Sequence, residues 1–262
     1  MKQYWIGTSW KMNKTLAESL GFCEELQLHS EKTPVSIQPF VIPPFTSVRE
    51  VTRQIQQQKT RCLTGVQNMH FAEEGAFTGE ISPRMVTETG AKLVEIGHSE
   101  RRTYFGETDA TVNLKVHAAL KHQLRPLVCI GDELQEKQWG ASAETVIRQM
   151  KAALYQVPHN DVPKVILAYE PVWAIGESGV PATTAEAAYV HDALRESLIS
   201  MYDTEIADKV TILYGGSVNL SNALDLISQQ NIDGLFIGRS AWQAEGFCAL
   251  LDKVADYLSQ KG

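Results

Sequence analysis

A lone carboxylate, Glu170, ends an apolar run and stands directly before a proline in the segment AYEPVWAIG at residues 168–176. The residues before it, 165–168, are of the β-branched and apolar type found in buried strands. Because proline restricts the preceding residue and cannot continue a central strand, Glu170 is predicted at the carboxyl end of a strand. There it could serve as a general base. Taken alone, the segment fits a helix-capping carboxylate before an ordinary loop equally well.

Two further groups with catalytic potential follow apolar runs elsewhere in the chain. Lys11 lies in the segment TSWKMN, where a lysine could hold a phosphate or stabilise an oxyanion; otherwise it is a surface lysine. His98 lies in the segment GHSERR, and Ser99 and Glu100 are predicted to start a short helix after it. A helix N-terminus favours a neutral imidazole, although a lone histidine is more often structural.

Glycine-containing turns supply the remaining candidate groups. The segments YGGSV (214–218) and IGRS (237–240) each follow an apolar run and predict backbone amides that cradle an anion. The loop at 173–181 has a glycine near its start and another near its end, as expected of a flap that closes over a ligand. A carboxylate base, an imidazole, a lysine and an anion cradle suit proton abstraction next to the carbonyl of a small phosphorylated substrate. The set contains no metal ligands and implies no cofactor.

The spacing of apolar runs predicts the scaffold that positions these groups. Runs recur about every thirty residues, at 4–6, 38–42, 62–66, 93–96, 126–130, 165–168, 210–213 and 234–237. Amphipathic helical patterns lie between them, at 16–28, 112–122, 144–154, 185–201, 221–229 and 247–258. Eight such units predict an α/β protein, a (β/α)8 TIM barrel forming one domain over residues 1–262. An open doubly wound sheet is the alternative, but no G-x-G-x-x-G follows the first strand.

Composition limits the classes of partner. The 262 residues carry a net charge of −7, which argues against nucleic acid or a membrane surface as a partner. No signal-peptide pattern opens the chain and no apolar run is long enough to span a membrane, so a cytoplasmic location is expected. Four widely spaced cysteines are predicted to be free thiols, and Cys129 is interpreted as a packing residue.

Taken together, the motifs resemble those of the triosephosphate isomerase family over essentially the whole chain. WKMN, QN, GAFTGE, GHSERR, CIG, EPVWAIG, YGGSV and DGLFIG occur in that family's order. The resemblance implies a sugar-phosphate isomerase that works through an enediolate. It implies Glu170 as the base, His98 as the neutral electrophile and Lys11 as the electrostatic residue, with the carboxylate of Glu100 beside it.

The resemblance also implies a substrate-binding set and a partner subunit. The phosphate-binding backbone amides match Gly176, Ser217, Gly238 and Arg239. The loop at 173–182 resembles the family's closing lid. Thr78 matches the tip of a loop that enters the neighbouring subunit's site, so a homodimer is implied.

Three departures from the family pattern surround the same pocket. Ser9 replaces a substrate-binding asparagine, Arg239 replaces the second glycine of a phosphate turn, and the lid is rebuilt without its lysine. These changes resemble the branch that isomerises L-erythrulose 1-phosphate, whose substrate needs room for one more carbon and hydroxyl. A true triosephosphate isomerase and a non-catalytic phosphate-binding barrel are the alternatives. The sequence leaves open the direction of flux, the order of the oligomer and the roles of Ser9 and Arg239.

Overall fold

Parallel strands pair in chain order and close into a barrel, because the last strand pairs with the first. The structure is a computed structural model that describes residues 2–30, 33–175 and 179–260. The strands are β1 Tyr4–Ser9, β2 Ile37–Ile42, β3 Leu63–Val66, β4 Leu93–Ile96, β5 Arg125–Ile130, β6 Ile166–Tyr169, β7 Thr211–Tyr214 and β8 Gly234–Ile237. The predicted (β/α)8 barrel is confirmed.

Helices cover the outside of the barrel and connect its strands. They are α1 Leu16–Ser30, α2 Phe45–Gln57, α3 Pro83–Glu88, α4 Ser99–Phe105, α5 Asp109–Lys121, α6 Leu134–Gln138, α7 Ser142–Ala153, α8 Thr184–Met201, α9 Thr204–Lys209, α10 Ala223–Ile227 and α11 Ala244–Ser259. Short 3-10 helices lie at Val162–Lys164, Val172–Ala174 and Arg239–Ala241. In the part of the chain that the structure describes, no helix has the length and apolar character needed to cross a membrane.

The six predicted helices are present, with ends shifted by at most three residues. Helix α2 was not predicted, because polar residues dominate its sequence, FTSVREVTRQIQQ. Its buried apolar side chains, Val48, Val51 and Ile55, form a single narrow stripe that packs on the barrel.

Alternate strand residues build two layers of core. Side chains that point outward pack under the helices in one large apolar cluster. Apolar side chains that point inward fill most of the barrel, and they are Trp5, Phe40, Ile42, Leu93, Leu127, Cys129, Ile166, Ala168, Leu213 and Phe236. Cys129 is one of them, so its interpretation as a packing residue is confirmed. Because this interior is filled, the barrel presents its chemistry only where the strands end.

The closing seam of the barrel depends on a glycine. Gly234 pairs with Trp5 across the β1–β8 seam, and a Cβ at this glycine would lie 1.9 Å from the Trp5 carbonyl oxygen. No rotamer change relieves a clash with backbone, so a side chain here forces the two strands apart.

Replacing Gly234 with alanine should therefore lower the free energy of unfolding by about 3 kcal/mol, at the upper end of typical overpacking costs. Gly21→Ala is the matched control: it lies within α1, and a Cβ there meets nothing within 4 Å. It should raise stability by about 0.5–1 kcal/mol, the difference in helix propensity. Urea unfolding measures both, and equal stabilities for the two variants would contradict the seam argument.

Candidate active site

One cavity of about 460 Å³ opens at the carboxyl ends of the strands. It is lined by Ser9, Lys11, His98, Glu100, Glu170, Ala174, Ile175, residues 215–219, residues 236–240 and Trp242. Every predicted site residue that the structure describes lines this cavity, although the segments come from five different strand ends. Gly176, together with the rest of residues 176–178, lies outside the described residues.

Glu170 is held between the ends of two neighbouring strands. Its backbone N–H donates a hydrogen bond to the Ile130 carbonyl oxygen at 2.8 Å. Glycines make room on both sides: a Cβ at Gly131 would lie 2.0 Å from the Glu170 carbonyl oxygen, and one at Gly215 would lie 2.8 Å from its Cγ. The turn CIG therefore makes room for the backbone of Glu170, and the turn YGGSV makes room for its side chain.

The Glu170 carboxylate is desolvated and poorly compensated. The residue is 3% exposed, and its Oε2 atom has no hydrogen-bond partner among the described residues. Burial, followed by the nearby charge of Glu95, raises the pKa of Glu170 to about 8. A carboxylate in this environment has a high proton affinity, as a general base requires.

The imidazole of His98 is fixed in one neutral tautomer. The Glu100 backbone N–H donates to His98 Nδ1 at 3.1 Å, so this nitrogen is unprotonated and Nε2 carries the hydrogen. Nε2 lies 3.6 Å from Glu170 Oε2. Burial and the charge of Lys11 lower the pKa of His98 to about 4. At neutral pH the ring is therefore an uncharged hydrogen-bond donor beside Glu170.

Lys11 enters the cavity from an uncommon backbone conformation. Its φ of 53° is in the left-handed region, where a residue with a side chain is strained. The Gln67 side chain amide stabilises this turn by donating to the Lys11 carbonyl oxygen at 2.9 Å. The Lys11 ammonium lies 2.6 Å from Glu100 Oε1. Burial alone lowers the pKa of Lys11, but the hydrogen bond and charge of Glu100 and the other carboxylates raise it above its usual value.

The two glycine-containing turns are tied to each other and to β1. The Ser240 hydroxyl donates to the Val218 carbonyl oxygen, and the Asn222 amide donates to the Ser217 carbonyl oxygen at 2.8 Å. Trp242 Nε1 donates to the Ser9 carbonyl oxygen at 3.0 Å. These bonds hold the backbone of the turns, and with it their amides, in one geometry at the cavity wall.

Glu95 was not singled out from the sequence. It is on β4, points inward beneath the cavity, and accepts a hydrogen bond from Ser9 Oγ at 2.8 Å. Burial raises the pKa of Glu95 to about 7. Glu95 could have been recognised in the sequence as a single carboxylate inside the otherwise apolar strand LVEI.

Asp132 was also missed, and it anchors the start of the loop predicted to be a lid. This fully buried residue accepts hydrogen bonds from the Tyr169 hydroxyl at 2.9 Å and from Trp173 Nε1 at 3.0 Å. The Ser142 hydroxyl donates to the same carboxylate at 2.6 Å. No short-range pattern reveals this role, because Ser142, Tyr169 and Trp173 lie 10 to 41 residues away from Asp132 along the chain.

Comparisons with known proteins agree with the fold. The sequence profile of the triosephosphate isomerase family matches residues 4–254, so the chain belongs to the triosephosphate isomerase family. It is 50% identical over 253 residues to an L-erythrulose-1-phosphate isomerase of Mesorhizobium japonicum, covering 96% of this chain and 97% of the relative. Similar proteins with the same name occur in Rhizobium rhizogenes, at 48% identity over 98% of this chain and 96% of the relative, and in Brucella abortus, at 48% over 97% and 98%.

The tautomer of His98 can be checked directly by NMR of ¹⁵N-histidine-labelled protein. We expect Nε2 to be protonated and Nδ1 unprotonated from pH 6 to 8, because the depressed pKa of about 4 keeps the ring neutral until the solution becomes strongly acidic. A ring that gains its second proton near pH 6.5, the ordinary value, would contradict this assignment.

Proposed function

We propose that this protein is a cofactor-independent isomerase that converts L-erythrulose 1-phosphate into D-erythrulose 4-phosphate. The observation that carries the proposal is the meeting of the Glu170 carboxylate and His98 Nε2, 3.6 Å apart, in a cavity that also contains Lys11. Family membership supports the reaction class. The names of the relatives at 48–50% identity support the four-carbon substrate.

The reaction moves one proton between adjacent carbons. Glu170 removes the proton from the carbon next to the carbonyl, and the electron pair left behind forms the enediolate double bond. His98 Nε2–H donates to the oxygen that gains negative charge, and the Lys11 ammonium stabilises the same charge. Glu170 then returns the proton to the former carbonyl carbon, while a hydroxyl proton passes from one oxygen to the other. The substrate and product are isomers, so no oxidant or reductant is consumed.

Binding of the phosphate is assigned to the backbone of the two glycine-containing turns. Residues 215–217 and 238–240 line the cavity, and their amides suit an anion despite the protein's net charge of −7. Glu170, His98 and Lys11 meet the other end of the substrate. Arg239 lies at the same wall and is exposed. Ser9, shorter than the family's asparagine, leaves space for the additional hydroxymethyl group.

The proposed substrate is tested by kcat/KM for L-erythrulose 1-phosphate and for dihydroxyacetone phosphate with purified protein. We expect a preference of roughly 10- to 200-fold for the four-carbon substrate, because one added group in a fitted pocket discriminates by about 1–3 kcal/mol. A preference for the triose would identify a triosephosphate isomerase instead. Binding without turnover of either compound would identify a phosphate-binding barrel that does not catalyse.

Glu170→Gln tests the base with the same substrates. The amide cannot accept the proton, so kcat should fall by roughly 10²- to 10⁴-fold with little change in substrate binding. Glu88→Gln is the matched control, because its carboxylate is exposed and pairs only at the surface with Arg49, 3.0 Å away. Turnover that survives in the Glu170 variant would refute the assignment of the base.

The loop after β3 supports a homodimer. His70 stacks on Phe71 at 4.3 Å and contacts Phe77 at 4.2 Å, yet Phe77 remains 47% exposed. Thr78 beside it is exposed as well. An ordered loop that presents aromatic surface to solvent is typical of a protein–protein contact.

Thr78→Arg should therefore convert the dimer into monomers, since a long charged side chain cannot be buried unpaired at an interface. Light scattering coupled to size exclusion measures the mass, which should fall to the 29.1 kDa of a single chain. Thr204→Arg, at the exposed start of α9, serves as the control and should leave the mass unchanged. A dimer that persists in the Thr78 variant places the interface elsewhere.

A further inference from the structure

Glu95 is a buried carboxylate that the proposed proton transfer does not use. It is 3% exposed and lies among inward-facing apolar side chains of the barrel, one layer below the cavity. Burying a carboxylate costs free energy, whereas an apolar side chain at such a position usually stabilises a core. The residue therefore needs an explanation other than stability.

The hydrogen bond from Ser9 to Glu95 connects this carboxylate to the cavity. Ser9 lines the cavity, is 4% exposed, and is held from two sides. Its carbonyl oxygen accepts from Trp242 Nε1 at 3.0 Å, and its hydroxyl donates to Glu95 Oε2 at 2.8 Å. Both the backbone and the χ1 rotation of Ser9 are thus fixed.

The direction of that bond determines what Ser9 offers a ligand. A serine hydroxyl has one hydrogen to donate and two lone pairs to accept with. Since an ionised Glu95 can only accept, it takes the single hydrogen and leaves the lone pairs of Ser9 Oγ for another donor. A sugar hydroxyl is such a donor, and a carbonyl or phosphate oxygen is not.

We propose that Glu95 is a positioning residue for the isomerisation, which turns the Ser9 hydroxyl so that its oxygen accepts a hydrogen bond from a hydroxyl group of the sugar phosphate. The inference rests on the proposed function and identifies a determinant of substrate choice. A four-carbon substrate has one hydroxyl more than the triose, so an acceptor fixed at the cavity floor favours it. Glu95 contributes without touching the substrate.

The charges around Glu95 fit this role. Lys11 favours the ionised form of Glu95, whereas Glu100 and Glu107 oppose it. Its pKa, raised to about 7 chiefly by burial, leaves Glu95 mostly ionised in mildly alkaline solution. Glu95 in turn raises the pKa of Glu170. Lys11, Cys129 and Glu100 also act on that carboxylate, and the neutral ring of His98 lies 3.6 Å from it.

The test is a double-mutant cycle with Glu95→Leu, Ser9→Ala and the double variant, read as kcat/KM on the alkaline plateau, where Glu170 is ionised in every variant. Glu95→Leu alone should lose about 10- to 100-fold for the four-carbon substrate, the effect of one charge-assisted hydrogen bond. In the Ser9→Ala background, the same change should cost less than about 3-fold, because Glu95 acts through Ser9. If the loss of kcat/KM in the double variant equals the product of the losses in the two single variants, Glu95 does not act through Ser9 and the proposal is overturned.

Glu95→Gln is a second test, which remains informative even if the protein does not fold with leucine at position 95. Its amide oxygen still accepts from Ser9, so the plateau should stay within about 3-fold of the parent. The acid limb of kcat/KM should move to lower pH: the base must be deprotonated, and removing a neighbouring negative charge lowers the pKa of Glu170. The positioning role would be rejected if the acid limb of the glutamine variant did not move and its plateau kcat/KM fell as far as that of the leucine variant.

Thr64→Val provides the structural control. It removes another buried hydrogen bond, 2.7 Å long between Thr52 and Thr64, away from the cavity. Its melting temperature should fall while its pH profile and kcat/KM remain those of the parent. If the unmodified protein prefers the triose, the proposed substrate is wrong, but the cycle is then run on the triose and still decides whether Glu95 acts through Ser9.

Discussion

The chemistry of this barrel depends on a buried carboxylate that lacks the hydrogen bonds it would make in water. Glu170 is buried, one of its oxygens has no hydrogen-bond partner among the described residues, and Glu95 adds a second negative charge nearby. Both effects destabilise the ionised form and make it a stronger base. The same desolvation keeps His98 neutral, so one physical cause prepares both partners of the proton transfer.

Such a site requires a scaffold that does not relax. Glu170 could regain solvation if its strand end moved, but the closed barrel holds each strand on both edges. Lys11 shows the same rigidity, since its left-handed backbone persists because Gln67 holds its carbonyl oxygen. The filled interior beneath them prevents collapse into the barrel. The free energy of core packing thus offsets the local backbone strain at the carboxyl ends of the strands.

The sequence predicted the groups that follow strands, and it did so for a physical reason. Glu170, His98 and Lys11 each follow an apolar run, and parallel strands bring those ends to one rim. The pairing of Ser9 with Glu95 could not be predicted in this way, because it joins residues 86 positions apart across the barrel interior. Helix α2 was missed because its apolar stripe is narrow, and Gly176 lies outside the described residues.

Closure of the barrel also determines when its first strand becomes fully paired during protein synthesis. Strand β1 is made first, but its second edge is completed only by β8, whose residues leave the ribosome last of all the strands. At a synthesis rate of about 5–20 residues per second, the second edge of β1 stays unpaired for on the order of 10–50 s. An unpaired strand edge is a template for aggregation, so the nascent chain carries this exposed edge until Gly234–Ile237 emerges and pairs with it.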